Sequence, residues 1–82
     1  MIGKGQKYYD PVNDEYIYIY SDSVITSGAY ICIVGQYDFA AMCWVYRLEV
    51  IRPDRIKRLT YVCICEAREI HRLVKQIAGR RV

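Results

Sequence analysis

Histidine, tryptophan and phenylalanine occur once each in this chain of 82 residues, and proline only twice. These scarcities exclude a good deal. One imidazole, His71, leaves little from which to build acid–base or metal chemistry, and no serine, cysteine or carboxylate pair stands in a nucleophile–base pattern around it. The closely spaced glycines, Gly3 and Gly5, are followed by no strand-to-helix transition and make no phosphate loop. The four cysteines, Cys32, Cys43, Cys63 and Cys65, sit in apolar strand-like runs without the C-x₂₋₄-C spacing of a zinc knuckle, and read as small buried hydrophobes. Cys63 and Cys65 share a strand face, so a four-thiolate site with Cys32 and Cys43 is conceivable, but the spacing does not favour it. The chain is therefore expected to be non-catalytic, with no metal, no cofactor and no small-molecule substrate.

Long apolar runs are also missing. The most hydrophobic span, Gly28 to Tyr46, contains Gln36 and Asp38, and an acidic residue at mid-membrane costs about 2.5–3.5 kcal/mol. Lys4 and Lys7 are followed by Tyr8-Tyr9-Asp10-Pro11, which does not read as a secretory signal. A cytoplasmic protein that crosses no membrane is the expectation.

What the chain does have is tyrosine, nine of them, in a sequence 54% hydrophobic. That composition supports one folded domain over residues 1–82, with residues 1–7 expected as a loose N-terminal arm. From Ala41 to Ile51, Met42, Trp44, Tyr46, Leu48 and Val50 alternate with Cys43, Val45, Arg47 and Glu49, which is the period of a strand. It is read as the central strand of a small sheet. Glu15 to Tyr20 sets Tyr16, Tyr18 and Tyr20 against Ile17 and Ile19, so neither of its faces is polar. Asp10-Pro11-Val12-Asn13-Asp14 before it reads as a hairpin turn. Val24-Ile25-Thr26 extends that strand past a bulge or stands apart; Ala29 to Val34 makes the next strand, and Gly35-Gln36-Tyr37-Asp38 is read as the turn after it.

Residues 56–65 admit two readings. Ile56, Leu59, Cys63, Ile70, Leu73 and Ile77 fit the steps of one helix from Pro53 to Ala78, whereas Thr60-Tyr61-Val62-Cys63-Ile64 is strand composition. The strand is favoured, with a helix from about Glu66 whose stripe of Ala67, Ile70, Leu73, Val74, Ile77 and Ala78 must cover the Trp44 face; Gly79 suits its end. The expected class is α+β: a small antiparallel sheet of four to five strands with one C-terminal helix packed on one face.

Two surfaces stand out. At least two strands are apolar on both faces while one helix covers one side, so a tyrosine-rich face carrying Tyr16, Tyr18, Tyr20 and Tyr30 is expected to meet a protein partner or a second copy in a homodimer. The other is electrostatic: residues 52–82 carry nine Lys or Arg against three Asp or Glu, and residues 1–51 carry three against six. Arg68, Arg72 and Lys75 oppose the apolar stripe of the helix and Arg80 and Arg81 follow it, a ridge that could face nucleic-acid phosphates or an acidic partner. Asp10, Asp14, Glu15 and Asp22 cluster around turns and read as turn and solubility residues. Size and composition, rather than any motif, favour a small protein-interaction regulator or inhibitor of the sort carried by phages and mobile elements. A nucleic-acid-binding module using the basic helix is the alternative.

Overall fold

The computed structural model describes residues 2–21 and 28–79. Within them β1 (Gln6–Asp10), β2 (Glu15–Ile19), β3 (Tyr30–Asp38), β4 (Cys43–Ile51), α1 (Pro53–Ile56), β5 (Thr60–Ile64) and α2 (Ala67–Gly79) follow in order. The strands form a five-stranded antiparallel sheet in the order β4-β3-β2-β1-β5, with α2 packed on one face, so the α+β class holds. After the β1–β4 meander the chain crosses one face through α1, adds β5 to the far edge and returns over the other face as α2.

Two turns of the same design set the register. The Asp10 carboxylate accepts the Val12 and Asn13 amides at 3.0 and 3.3 Å, and Asp14 takes a left-handed φ of 53°. In the β3–β4 turn the Asp38 carboxylate accepts the Ala40 and Ala41 amides at 3.0 and 3.2 Å, and Met42 takes a φ of 54°. A short side-chain acceptor two or three residues upstream holds each turn closed. The resulting register places Lys7 beside Tyr18, Tyr16 beside Gly35 and Tyr37 beside Trp44.

Alternation then splits the sheet into two faces. One face buries Ile17, Ile19, Cys32 and Val34 with Ile51 and with Ile56 of α1, sealed by Ile2, Tyr8, Tyr30 and Leu59. The other buries Tyr18 and Ile33 beneath Ile70 and Leu73 of α2, with Tyr16, Tyr46, Cys65, Val74 and Ile77 around them. Strand β2 is apolar on both sides because each of its faces has a cover. The crossover 52–59 covers the face that the helix leaves, so no outside partner is needed there.

Several expectations change. The stretch around Trp44 is an edge strand, since among the described residues only β3 pairs with it. Its composition resembles that of a central strand because its flank lies under α2 and its far end, Ile51, is buried. Residues 35–38 do not turn; they continue β3, and the turn falls at 39–42. Residues 2–7 are not a loose arm: Ile2 packs on the core, the Gly5 amide donates to the Ile19 carbonyl at 2.9 Å, the Cys65 amide donates to the Gly5 carbonyl at 2.7 Å, and β1 starts at Gln6. Gly5 enters this exchange with φ 89°, which favours glycine. Residues 56–65 divide: Pro53, with no amide hydrogen to lose, opens the single turn of α1, and the strand favoured by Thr60 to Ile64 forms as β5. Helix α2 starts after Glu66, whose carbonyl accepts the Glu69 and Ile70 amides. No described helix is long and apolar enough to cross a membrane. Val24, Ile25 and Thr26 lie outside the described residues.

Candidate functional site

Helix α2 covers only part of its face. It lies over Tyr18, Ile33 and Tyr46 and leaves the end of the sheet nearest the β3–β4 turn open. There β3 and β4 run on beyond β2 as a two-stranded hairpin, because β2 pairs with β3 only as far as Gly35 while β4 pairs with it to Asp38. The open end is aromatic. Ring centroids lie 5.1 Å apart for Tyr9 and Tyr16, 5.8 Å for Tyr16 and Trp44, 5.6 Å for Trp44 and Tyr37, and 5.0 Å for Tyr37 and Phe39. A branch runs from Trp44 to Tyr46 and on to Tyr18, each step 6.5 Å.

Gly35 makes this chain of rings possible. It sits between Tyr16 and Tyr46 in register, and a Cβ there would meet the Tyr46 ring at 2.7 and 2.9 Å. Without that carbon the Tyr46 ring lies across β3, and the aromatic side chains of β2 and β4 close over the intervening strand. The sequence carries the signal, since a lone glycine in an apolar run marks close approach of another group to the backbone; the turn expected at residues 35–38 is this crossing point instead.

Lys7 on β1 completes the surface. Its ammonium lies 4.6 Å from the Tyr16 ring centre and 5.3 Å from that of Tyr18, within cation–π range. Lys7, Tyr16, Tyr18, Trp44 and Tyr46 line a shallow depression of about 280 Å³. Burial, then Tyr46, raises the Tyr18 hydroxyl pKa well above its ordinary value, and burial, then Glu69, raises that of Tyr46. Both rings are therefore neutral hydrogen-bonding groups at any physiological pH. Trp44 is 42% exposed, Phe39 79% and Met42 77%, so the patch is open to a partner.

The four tyrosines expected to share one interface do not share a face. Tyr18 is buried beneath α2, Tyr16 is half-buried in the aromatic chain, Tyr20 is exposed past the end of β2, and Tyr30 packs on the opposite face. Of the basic ridge, Arg68, Arg72 and Lys75 are exposed on α2, with Arg68 Nε 3.1 Å from Glu66. Arg80 and Arg81, like Asp22, lie outside the described residues. Tyr9, Tyr37, Phe39 and Lys7 were not singled out, since register across four strands, not spacing along one, brings them together.

On the other face lies an ion-pair network. Arg55 of α1 reaches Asp10, Glu49 and Glu15 at 3.3, 3.1 and 3.7 Å, and Arg47 reaches Glu15 and Glu49 at 3.0 Å each. Asp10 thus closes its turn and also anchors α1. Burial opposes the charge on Asp10, but the side chain and amide of Asn13, the Arg55 guanidinium and the Val12 amide outweigh it and hold the carboxyl below its ordinary pKa. These contacts stabilise the fold, and each of Asp10, Glu15 and Glu49 meets at least one guanidinium.

The four cysteines do not form one group: Cys63 and Cys65 are hydrogen-bonding neighbours, while Cys32 and Cys43 lie apart from them. Cys32 is buried on the α1 face, Cys65 packs on the α2 face, Cys63 is exposed and Cys43 begins β4 beside the turn. Burial pushes the thiols of Cys32 and Cys65 up to about 12, and Glu69 adds to the effect at Cys65, so neither is a thiolate at neutral pH. His71 is exposed and lines a second depression of about 380 Å³ with Lys4, Tyr20, Cys65 and Val74. Among the described residues, no three His, Cys, Asp or Glu side chains gather in a group able to hold a metal ion.

The fold and this surface together define an α+β domain with an open aromatic patch on a half-covered sheet. No family model matches the sequence, and neither a curated protein nor a solved structure is found to be similar to it.

Proposed function

We propose that this chain is a non-catalytic binding protein, a small regulator or inhibitor in a cytoplasmic setting that captures a protein partner on the surface of Tyr9, Tyr16, Tyr37, Phe39 and Trp44. The observation that supports this reading most is the unbroken run of ring contacts from β1 to the β3–β4 turn, held in place by Gly35 and left uncovered by α2. Packing that fixes the rings before binding reduces the entropy lost on association, and Tyr and Trp are the residues most enriched at energetic hot spots. Apolar Phe39 and Met42 at the tip favour a protein over a phosphate-bearing ligand, because among the described residues only Lys7 of the cations stands over the rings.

Trp44, the sole tryptophan, makes the surface its own reporter. A photocrosslinking residue placed at Phe39 in producing cells should yield a discrete adduct that Trp44→Ala abolishes, whereas the same residue at Val12, 88% exposed on the other hairpin, should yield none. Equal adducts at both positions would sink the reading. Titration with single-stranded DNA and RNA oligonucleotides at low salt should leave Trp44 fluorescence unchanged; salt-sensitive quenching would move the assignment to nucleic acid.

A further inference from the structure

The two edges of the sheet are not alike. Strand β5 is five residues long, and its pairing with β1 slips between Lys7 and Tyr8, which distorts the edge it presents. Strand β4 is nine residues long, pairs with β3 in unbroken register, and contains no proline, glycine or lysine to blunt it.

Which β4 amides face outward follows from the ladder. The Ile31 carbonyl accepts from Tyr20 on the β2 side, so the odd-numbered residues of β3 hydrogen-bond toward β2 and the even-numbered ones toward β4. Their partners in β4 are Cys43, Val45, Arg47, Glu49 and Ile51. The peptide groups of Trp44, Tyr46, Leu48 and Val50 therefore point to the free edge. Their side chains lie on the α2 face, where Leu48 is 44% and Val50 54% exposed.

We propose that a second copy of this chain adds to this edge, with β4 pairing antiparallel to β4 of its partner about a twofold axis at Leu48 and joining two sheets into one of ten strands. The register is chosen by charge. With Leu48 opposite the partner's Leu48, Arg47 lies opposite the partner's Glu49 and Glu49 opposite the partner's Arg47, two opposite-charge pairs in all. A shift one way sets Arg47 against the partner's Arg47, and the other way sets Glu49 against the partner's Glu49. Only the register centred on Leu48 pairs opposite charges directly, and it does so at a non-hydrogen-bonded position, where side chains approach most closely. On the α2 face the same register sets Tyr46 beside the partner's Val50, so exposed apolar side chains from both copies form one strip between the two helices. Both aromatic patches then lie on one side of the joined sheet, at its opposite ends.

Charge exchange tests this without ambiguity. Wild-type protein should sediment as a dimer at tens of micromolar, and Arg47→Glu and Glu49→Arg, each alone, should weaken association at least tenfold. Mixing these two variants one to one should restore a dimer of one copy of each, because every cross-strand pair is then opposite in charge. Leu48→Pro removes an outward amide and none of the β3 hydrogen bonds; it should give a folded monomer by circular dichroism and sedimentation. A monomeric wild type, a folded Leu48→Pro that remains dimeric, or folded charge variants that associate as tightly alone as when mixed would each overturn the proposal. Phe39→Ala, in the aromatic patch but outside β4, should leave the dimer intact, which separates this edge from the aromatic patch.

Discussion

One face of the sheet is closed and the other is half open, although the same strands supply both. On the α1 face Ile17, Ile19, Cys32, Val34 and Ile56 are fully buried, and Asp10, Glu15 and Glu49 around them each meet Arg47 or Arg55. On the α2 face the buried set is smaller, Tyr18, Ile33, Ile70 and Leu73, and the rings beyond it are only partly covered. Branched aliphatic side chains with a locked χ1 fill a closed layer, whereas tyrosine and tryptophan tolerate a surface that is apolar in its body and wet at its tip. The comparison separates a face that holds the fold from a face available for contact.

The separation breaks most readily at the closed core. Ile19→Ala should cost about 2–5 kcal/mol, from lost transfer energy and the cavity left behind, while Trp44→Ala should cost about 1 kcal/mol because the indole is partly solvated already. Urea denaturation of the two variants decides it; equal losses would mean that the aromatic patch is structural.

Next in size is the ion-pair network. Arg55→Leu leaves buried Glu15 with Arg47 alone and buried Asp10 with no guanidinium, and should cost about 1–3 kcal/mol at pH 7, less than a fully buried pair because the Arg55 side chain is 31% exposed. The folded-state pKa of Asp10 is depressed, so its contribution is present above the ordinary carboxylate value and is lost as pH falls through the folded value. The difference between wild type and Arg55→Leu should therefore shrink below about pH 4. A difference independent of pH would assign Arg55 a packing role alone.

How legible these features were follows from what each depends on. The period of two in Glu15 to Ile19, the turn at Asp10, the Pro53 break and the stripe on α2 are local, and the sequence displays them. The rank of β4 in the sheet was hidden because burial on one flank imitates centrality. The ring chain and the Arg55 network were hidden too, since Tyr9 meets Tyr16 and Arg55 meets Asp10 only after strands pair and a crossover docks. Covering of the second face by residues 52–59 was missed for the same reason: a four-residue helix has too short a period to declare itself.

On the open face, Gly35→Ala tests whether the aromatic surface is built as a unit. The new methyl would meet the Tyr46 ring, and displacing it should cost about 1–3 kcal/mol and change the Trp44 emission, since Trp44 and Tyr46 are stacked. Combining it with Tyr46→Ala should recover part of the loss. Strict additivity of the two changes would show that the ring and the glycine do not depend on each other.

The smallest expected effect lies on the alkaline side, and it returns to the closed face. The Cys32 thiol is pushed up to about 12 by burial, whereas in the unfolded chain it ionises near its ordinary value of 9.0. A group whose folded pKa is raised contributes fully below the unfolded value and loses that contribution as pH rises through the window, here from about 9 toward 12. Stability should therefore decline with pH above 9, and Cys32→Val, which keeps the site apolar and close in volume, should flatten the decline without changing stability much at pH 7. Cys65, raised in the same direction on the α2 face, will retain part of the slope. Denaturant midpoints at pH 8 and pH 10 measure it. An undiminished slope in Cys32→Val would assign the alkaline sensitivity to Cys65 and to the tyrosines whose hydroxyl pKa values are raised, Tyr8 on the closed face among them, and not to the buried thiol.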